Sequence, residues 1–313
     1  MAELRMDFLT KEWVAISVDR GRRPFNFIRD ASPAAEAGRC PFCPENSDLR
    51  ANEQRGRGDV IFLPNLYPAL DPQSENGFGR HEIIVDSPDH RLRLHELSDG
   101  GIFDVLATLR DRVAFYQQDR RIEYIQVFKN SGFRAGASIP HAHWQLLAMP
   151  FVPRRVQVMA DSFDDFKAEN GVCYLCRPAD KRLTVCENGG AAAYVPFAAL
   201  FPYCVNIAPR AHYKSLAAAD DGALASVGAL LKKSVTALFK KGFGDYNILL
   251  FEAPAGSGKD TGNWHFFFQI VPKLGSPAGF ELASYTYMSS VFPEDAALEL
   301  REELGTDHIE RHQ

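Results

Sequence analysis

Asn130 to Pro150 reads NSGFRAGASIPHAHWQLLAMP, and its reading decides the fold. Tyr124 to Lys129, YIQVFK, leads into it as an apolar run of strand length. A turn containing Gly132 and Gly136 follows, and HAHWQLLAM then reads as a second strand. Alternate side chains of a strand share a face, so His141, His143 and Gln145 point one way and Ala142 and Trp144 the other. Two imidazoles and an amide on one face, ahead of an apolar run, mark a site. Gly132, Gly136 and the small Ala135, Ala137 and Ser138 allow a ligand close to the backbone. The competing reading is an edge strand with two surface histidines, and the rest of the chain weighs against it.

Working outward, HEIIVD (His81 to Asp86) is a strand, and the SPDH turn after it ends at His90. Leu97 to Asp119 carries Ile102, Val105, Leu106, Leu109 and Val113 at helical spacing. Trp13 to Val18 is a short strand, and Phe62 to Leu70 is a strand running into a loop. The second half offers a polar helix at 156–172, strands at Ala191 to Phe201 and Val205 to Ala208, and a helix from Leu224 to Lys240. Strands at Tyr246 to Phe251 and WHFFFQIVP complete it. The spacings repeat. His90 to His143 and His212 to His265 both span 53 positions, and Tyr124 to His143 and Tyr246 to His265 both span 19. The chain therefore reads as α+β, two copies of one unit, each a mostly antiparallel sheet with packed helices. The catalytic half covers 1–155 and the second half 156–313. On this count His265 shares the column of His143, with Asn263 in place of His141 and Phe267 in place of Gln145. That asymmetry points to one catalytic centre and one structural half.

Each half opens with C-x-x-C. Cys40 and Cys43 with His90 and His141 make a closed tetrahedral zinc set, and the second half offers Cys173, Cys176, His212 and His265, its fourth ligand left open because the counted counterpart of His141 is Asn263. A redox pair would sit at a helix N-terminus after a strand, which the prolines of CPFCP argue against. Cys186 and Cys204 are left as buried thiols. The 313 residues carry a net charge of −5, so there is no general footprint for nucleic acid. The N-terminus has no signal-peptide pattern, and no apolar run approaches the ~20 residues needed to span a bilayer. A cytoplasmic chain with no membrane partner is expected. Arg20, Arg22 and Arg23 read either as a solvated loop or as a phosphate clamp. GSGK in the loop after Phe251 lacks the remaining features of a P-loop.

Several longer stretches carry a family likeness. They are RMDFLTKEWVAISVDRGRRP, CPFC, FLPNLYPAL, HEIIVDSPDH, NSGFRAGASIPHAHWQ and AGFELASYTYMSSVFPEDAALELR. Through them nearly the whole chain resembles the galactose-1-phosphate uridylyltransferase family of the histidine-triad superfamily, near relatives of which include ADP-glucose phosphorylases. The resemblance implies that His143 is a nucleophile that takes a nucleoside monophosphate, and that the Cys40 set is the family's zinc site. It places Gln145, Ser138, Asn130, Arg20 and Arg23 on phosphates, Asn65 on the nucleoside and Glu281 toward the hexose. Ala137 and Trp144 depart from the common pattern, which bears on substrate preference. The implied partners are a nucleotide sugar and a sugar 1-phosphate or phosphate, and a homodimer is expected. The leading expectation is ping-pong uridylyl transfer between UDP-glucose and a hexose 1-phosphate. The alternative is phosphorolysis of ADP-glucose or a dinucleoside polyphosphate on the same histidine. A hydrolase ranks third, and a zinc-stabilised nucleotide-binding module without turnover would lack the nucleophile.

Overall fold

The computed structural model describes residues 2–17, 40–50, 52–178, 180–255 and 261–305. Strand alternation sorts the central segments into two faces. On β6 (Tyr124–Ser131) and β7 (His143–Met149), Ile125, Val127, Trp144, Leu146 and Ala148 point to one side and join the main core. That core is closed by α1 (Asp99–Tyr116) and α3 (Asp221–Lys240), which pack on each other. Gly228 lets them approach, because a Cβ there would lie 3.0 Å from Ile102 Cγ2. Both helices start where a side chain caps them. Ser98 Oγ accepts the Gly101 N–H at 3.0 Å, and Asp220 Oδ1 accepts the Ala223 N–H at 2.8 Å. The expected helix starts at Leu97 and Leu224 thus shift to the residue after each cap. By length and composition alone α3 could cross a bilayer. Here Leu224, Val227, Leu230, Leu231, Val235 and Leu238 are buried in the core, each contributing roughly 1.5–3 kcal/mol by leaving water.

The remaining strands are β1 (Ala2–Met6), β2 (Trp13–Ser17), β3 (Gln54–Arg55), β4 (Ile61–Pro64) and β5 (Arg80–Val85) in the first half. The second half adds β8 (Thr184–Glu187), β9 (Ala191–Tyr194), β10 (Val205–Pro209), β11 (Tyr246–Phe251), β12 (Phe267–Pro272) and β13 (Tyr287–Ser289). The strand expected over Ala191 to Phe201 therefore stops at Tyr194. Ten strands form one sheet in the order β3-β4-β5-β7-β6-β11-β12-β10-β9-β8. Read from the central antiparallel pair β6·β11, the order is the same outward in both directions, five strands from each half. The fold is α+β with the two repeats joined into a continuous sheet. A separate sheet, β1-β2-β13, carries a parallel β2·β13 pair, with α4 (Gly279–Ser284) and α5 (Pro293–Leu304) flanking β13 in sequence.

The opposite face of the large sheet is covered at its middle by α2 (Arg154–Asn170), whose Val156, Met159 and Phe163 pack with Tyr124, Phe251, Trp264 and Phe267. This corrects the repeat as counted along the sequence. Tyr124 points to this face, whereas Tyr246 points into the core under α1 and α3, so the two tyrosines are not equivalent. Equal spacing along the chain does not preserve facing once loops differ in length, because one residue of slip reverses every side chain.

Candidate active site

Four side chains from separate segments meet on the open face of the first half. Cys40 and Cys43 come from a turn, His90 from the loop after β5, and His141 from two residues before β7. The His141 Nδ1 lies 3.6 Å from both sulfurs, and the His90 Nδ1 lies 3.3 Å from the Cys43 sulfur. A tetrahedral zinc with Zn–S of about 2.3 Å and Zn–N of about 2.0–2.1 Å requires S···N separations of about 3.6 Å. The tautomer agrees too: the Nε2–H of His141 donates to the Ser87 carbonyl at 2.8 Å, leaving Nδ1 as the lone pair that faces the thiols. Burial, reinforced by Cys40, pushes the Cys43 thiol up to about 11, so a thiolate pair needs a cation to hold it. The residues fit zinc.

His143 opens β7 and is 5% exposed. Its Nδ1 lies 2.8 Å from the His141 carbonyl, which can only accept, so Nδ1 carries the proton and Nε2 carries the lone pair. Burial lowers its pKa to about 4, which keeps the ring neutral at pH 7. Behind it lies a buried ion pair. Lys129 Nζ donates to Asp86 Oδ2 at 2.7 Å and to the His143 carbonyl at 3.2 Å. The backbone of the histidine is thus held from β6 as well as from the metal cluster. Gln145, on the same face, accepts from His81 Nε2 at 3.0 Å. Asn65 lies against the His81 ring, its Nδ2 3.1 Å from His81 Nε2. Asn130 Oδ1 accepts from Asn247 Nδ2 at 2.8 Å, so a second-half residue orients a first-half one.

The loop between β6 and β7 is also held from the second half. The Arg134 N–H donates to Asp245 Oδ2 at 3.0 Å. Gly132 has φ of +84°, and a Cβ there would lie 1.9 Å from Asp245 Oδ1, so this position requires glycine to let the carboxylate in. Ser138 is exposed in that loop. Glu281 accepts the Ala278 N–H at 3.0 Å in the first turn of α4, and no described hydrogen bond links it to the His143 face. Arg20 and Arg23 lie outside the described residues, as do Arg22 and the GSGK loop. The structure therefore brings together His143, Gln145, Asn65, Asn130 and the first cluster. His81, Asn247, Asp245 and Lys129 were missed, because each reaches the site only through strand pairing.

The second cluster repeats the first. The His265 Nδ1 lies 3.5 Å from the sulfurs of Cys173 and Cys176, and the His212 Nδ1 lies 3.5 Å from that of Cys176. In both halves the two histidine rings cross at 5.1 Å and 77°. His265 therefore occupies the place of His141, not of His143. Each stands two residues before its strand, and the residue that opens the strand is His143 in one half and Phe267 in the other. The expected pairing of His265 with His143, and of Asn263 with His141, was two residues out. The correction supplies the fourth ligand that the count left open. A cavity of about 210 Å³ beside this cluster is lined in part by Tyr174, Cys176, Tyr194 and Arg210 and by none of the residues around His143.

A family model described as galactose-1-phosphate uridyl transferase, N-terminal domain, matches residues 1–153. ADP-glucose phosphorylase of Arabidopsis thaliana is 33% identical over 96% of this chain and 92% of its own length. Galactose-1-phosphate uridylyltransferase of Thermotoga maritima is 30% identical over 96% and 98%. The crystal structure of an Arabidopsis thaliana ADP-glucose phosphorylase with bound ADP-glucose superposes with a TM-score of 0.88 at 34% identity, covering 96% of this chain and 98% of that one.

Proposed function

Because the chain belongs to the galactose-1-phosphate uridylyltransferase family and is a nucleotidyltransferase, we propose that His143 carries the nucleotidyl group between a nucleoside diphosphate hexose and a phosphate-bearing acceptor. The observation that carries this is the 2.8 Å contact from His143 Nδ1 to the His141 carbonyl, which presents a neutral ring with its Nε2 lone pair available. Nε2 attacks the α-phosphorus, and the bond from that phosphorus to the bridging oxygen breaks. The hexose 1-phosphate leaves with the electron pair. A phosphate oxygen of the acceptor then forms the new P–O bond, and the P–N pair returns to Nε2. The proton stays on Nδ1 throughout and is donated to the His141 carbonyl, so the imidazolium character of the intermediate is met by that oxygen. Gln145 is proposed to donate to the phosphoryl oxygens, with Ser138, Asn130, Arg20 and Arg23 as further contacts. Asn65 is proposed at the nucleoside and Glu281 at the hexose. Zinc on Cys40, Cys43, His90 and His141 would tie three segments together and steady the His141 carbonyl.

UDP-glucose with a hexose 1-phosphate acceptor is the donor pair favoured by the family model and by the Thermotoga maritima relative. A second reading, ADP-glucose with inorganic phosphate, is favoured by the Arabidopsis thaliana relative and its TM-score of 0.88. Incubation with α-³²P-labelled UDP-glucose and ADP-glucose in turn, scoring acid-labile label on the protein, separates them. Label from one or both, lost in His143→Asn, is expected. Absence of label from both sinks the covalent route.

A further inference from the structure

We propose that His81 is a positioning residue, which turns the Gln145 amide so that its NH₂ end, rather than its carbonyl end, faces a phosphoryl group at His143. The proposal rests on the roles given above to His143 and Gln145. On the paired strands β5 and β7, Ile83 faces Gln145, which sets His81 diagonal to Gln145 on the same face. The His81 ring has its tautomer set by the backbone. The Ala69 N–H, which can only donate, lies 3.1 Å from His81 Nδ1. The proton of the neutral ring is therefore on Nε2, and burial favours that neutral form. Nε2–H donates to Gln145 Oε1 at 3.0 Å. The Asn65 amide nitrogen lies 3.4 and 3.1 Å from the two ring nitrogens.

The physical need for such a device is plain. The last torsion of a glutamine is broad and roughly two-fold, so little in the side chain itself distinguishes amide from carbonyl. Turned the wrong way, Gln145 would aim an oxygen at an anionic phosphoryl group. The chain from the Ala69 N–H through His81 to Gln145 Oε1 removes that choice and leaves both amide hydrogens for substrate. The second half shows the contrast: Gln269, two residues after Phe267, donates its Nε2 to Asn206 Oδ1 at 2.9 Å. Its amide hydrogens face a neighbouring side chain.

The test is a double-mutant cycle in the metal-loaded protein, reading the rate of nucleotidyl-histidine formation, kcat and KM. Gln145→Leu is expected to lower kcat about a hundredfold, as loss of one donor to a developing oxyanion does. His81→Leu should lower kcat about tenfold with KM within about twofold, and melting temperature and metal content at wild type. The double variant should match Gln145→Leu alone, because His81 acts only through that amide. A double variant slower by the product of both losses overturns the proposal, as does wild-type kcat in His81→Leu. Labelling that survives in His143→Asn, or wild-type kcat in Gln145→Leu, would instead overturn the underlying reading of the site. If His81→Leu does not fold, Ala69→Pro removes the N–H that sets the tautomer and leaves His81 in place. The same Gln145-dependent loss is then expected, and unchanged kcat overturns the proposal.

Discussion

The two halves share a skeleton and differ in what stands two residues beyond the inner metal-site histidine. In the first half that residue is His143, with a protonated Nδ1 on a carbonyl and Gln145 beside it. In the second it is Phe267, stacked on Phe251 with ring centroids 4.9 Å apart and packed beneath α2 with Phe163 and Trp264. Both halves keep the same Cys₂His₂ arrangement to within the spread of their distances. The metal scaffold and the chemistry are thus separable. The same cluster stands at the strand end in both halves, and one side chain decides whether that end presents an imidazole or a core phenyl ring.

The largest expected effect breaks the symmetry outright. His143→Ala should lower covalent labelling by about 10⁴-fold or more, as loss of a nucleophile does. His265→Ala should lose metal from the second half and lower the melting temperature while folded molecules still label. If His265→Ala abolishes labelling in folded, metal-replete protein while His143→Ala still labels, the two halves have been assigned backwards. Adding Phe267→His to His143→Ala should restore no label, since Phe267 is covered by α2 and Gln269 is engaged by Asn206; restored label would show that the second site is only one residue from activity.

Next comes the ion pair beneath His143. Lys129→Met leaves Asp86 charged and buried, and chemical denaturation should show a loss of about 3–5 kcal/mol. Adding Asp86→Leu should recover most of it, and a double variant as unstable as the single one refutes the pair as the cause. Smaller again is the contrast between clusters. Cys40→Ser should lower activity about 10- to 100-fold, as disturbed metal surroundings do, whereas Cys176→Ser should leave kcat per folded molecule unchanged. Metal analysis of wild-type protein should give near two zinc ions per chain, falling to one in either variant.

The smallest effect concerns buried acids. The first half pairs them, Asp86 with Lys129 and Glu82 with Arg112. In the second half Glu252, 1% exposed, accepts from the Leu216 N–H and the Ser215 side chain, both uncharged, and burial pushes its pKa up to about 7. The folded state then holds this proton more tightly than the unfolded state, whose carboxyl titrates near its ordinary value. Stability from this group is full below that ordinary value and is lost as pH rises through about 7. Glu252→Gln should flatten the fall in stability between about pH 5 and pH 8 by about 2 kcal/mol. An unchanged slope would mean that the carboxylate is relieved by some other group.

Much of the site was legible because its chemistry restricts residue type. Metal ligation needs thiols and imidazoles in sets, so both clusters could be listed from C-x-x-C and distant histidines before any contact was known. His143 and Gln145 stood out because strand parity puts them on one face with no packing reason to be polar. The repeat was legible as a duplication and misread in register, since His265 was counted against His143 when it matches His141. His81, Asn247 and Asp245 carried no such mark, each being an ordinary polar residue in or beside a strand.

The amino-acid sequence by itself determined the α+β class, the approximate spans of the long helices and the two Cys₂His₂ sets. These follow from short-range periodicity and from the few side chains able to do the chemistry. Tertiary structure alone decided the rest: one ten-stranded sheet rather than two, the match of His265 to His141, the burial of Phe267 under α2, and the partners of Gln145 and Asn130. The reason is that strand order, register and facing are set by pairing between segments far apart in the chain, and loop lengths between them vary without changing any local pattern.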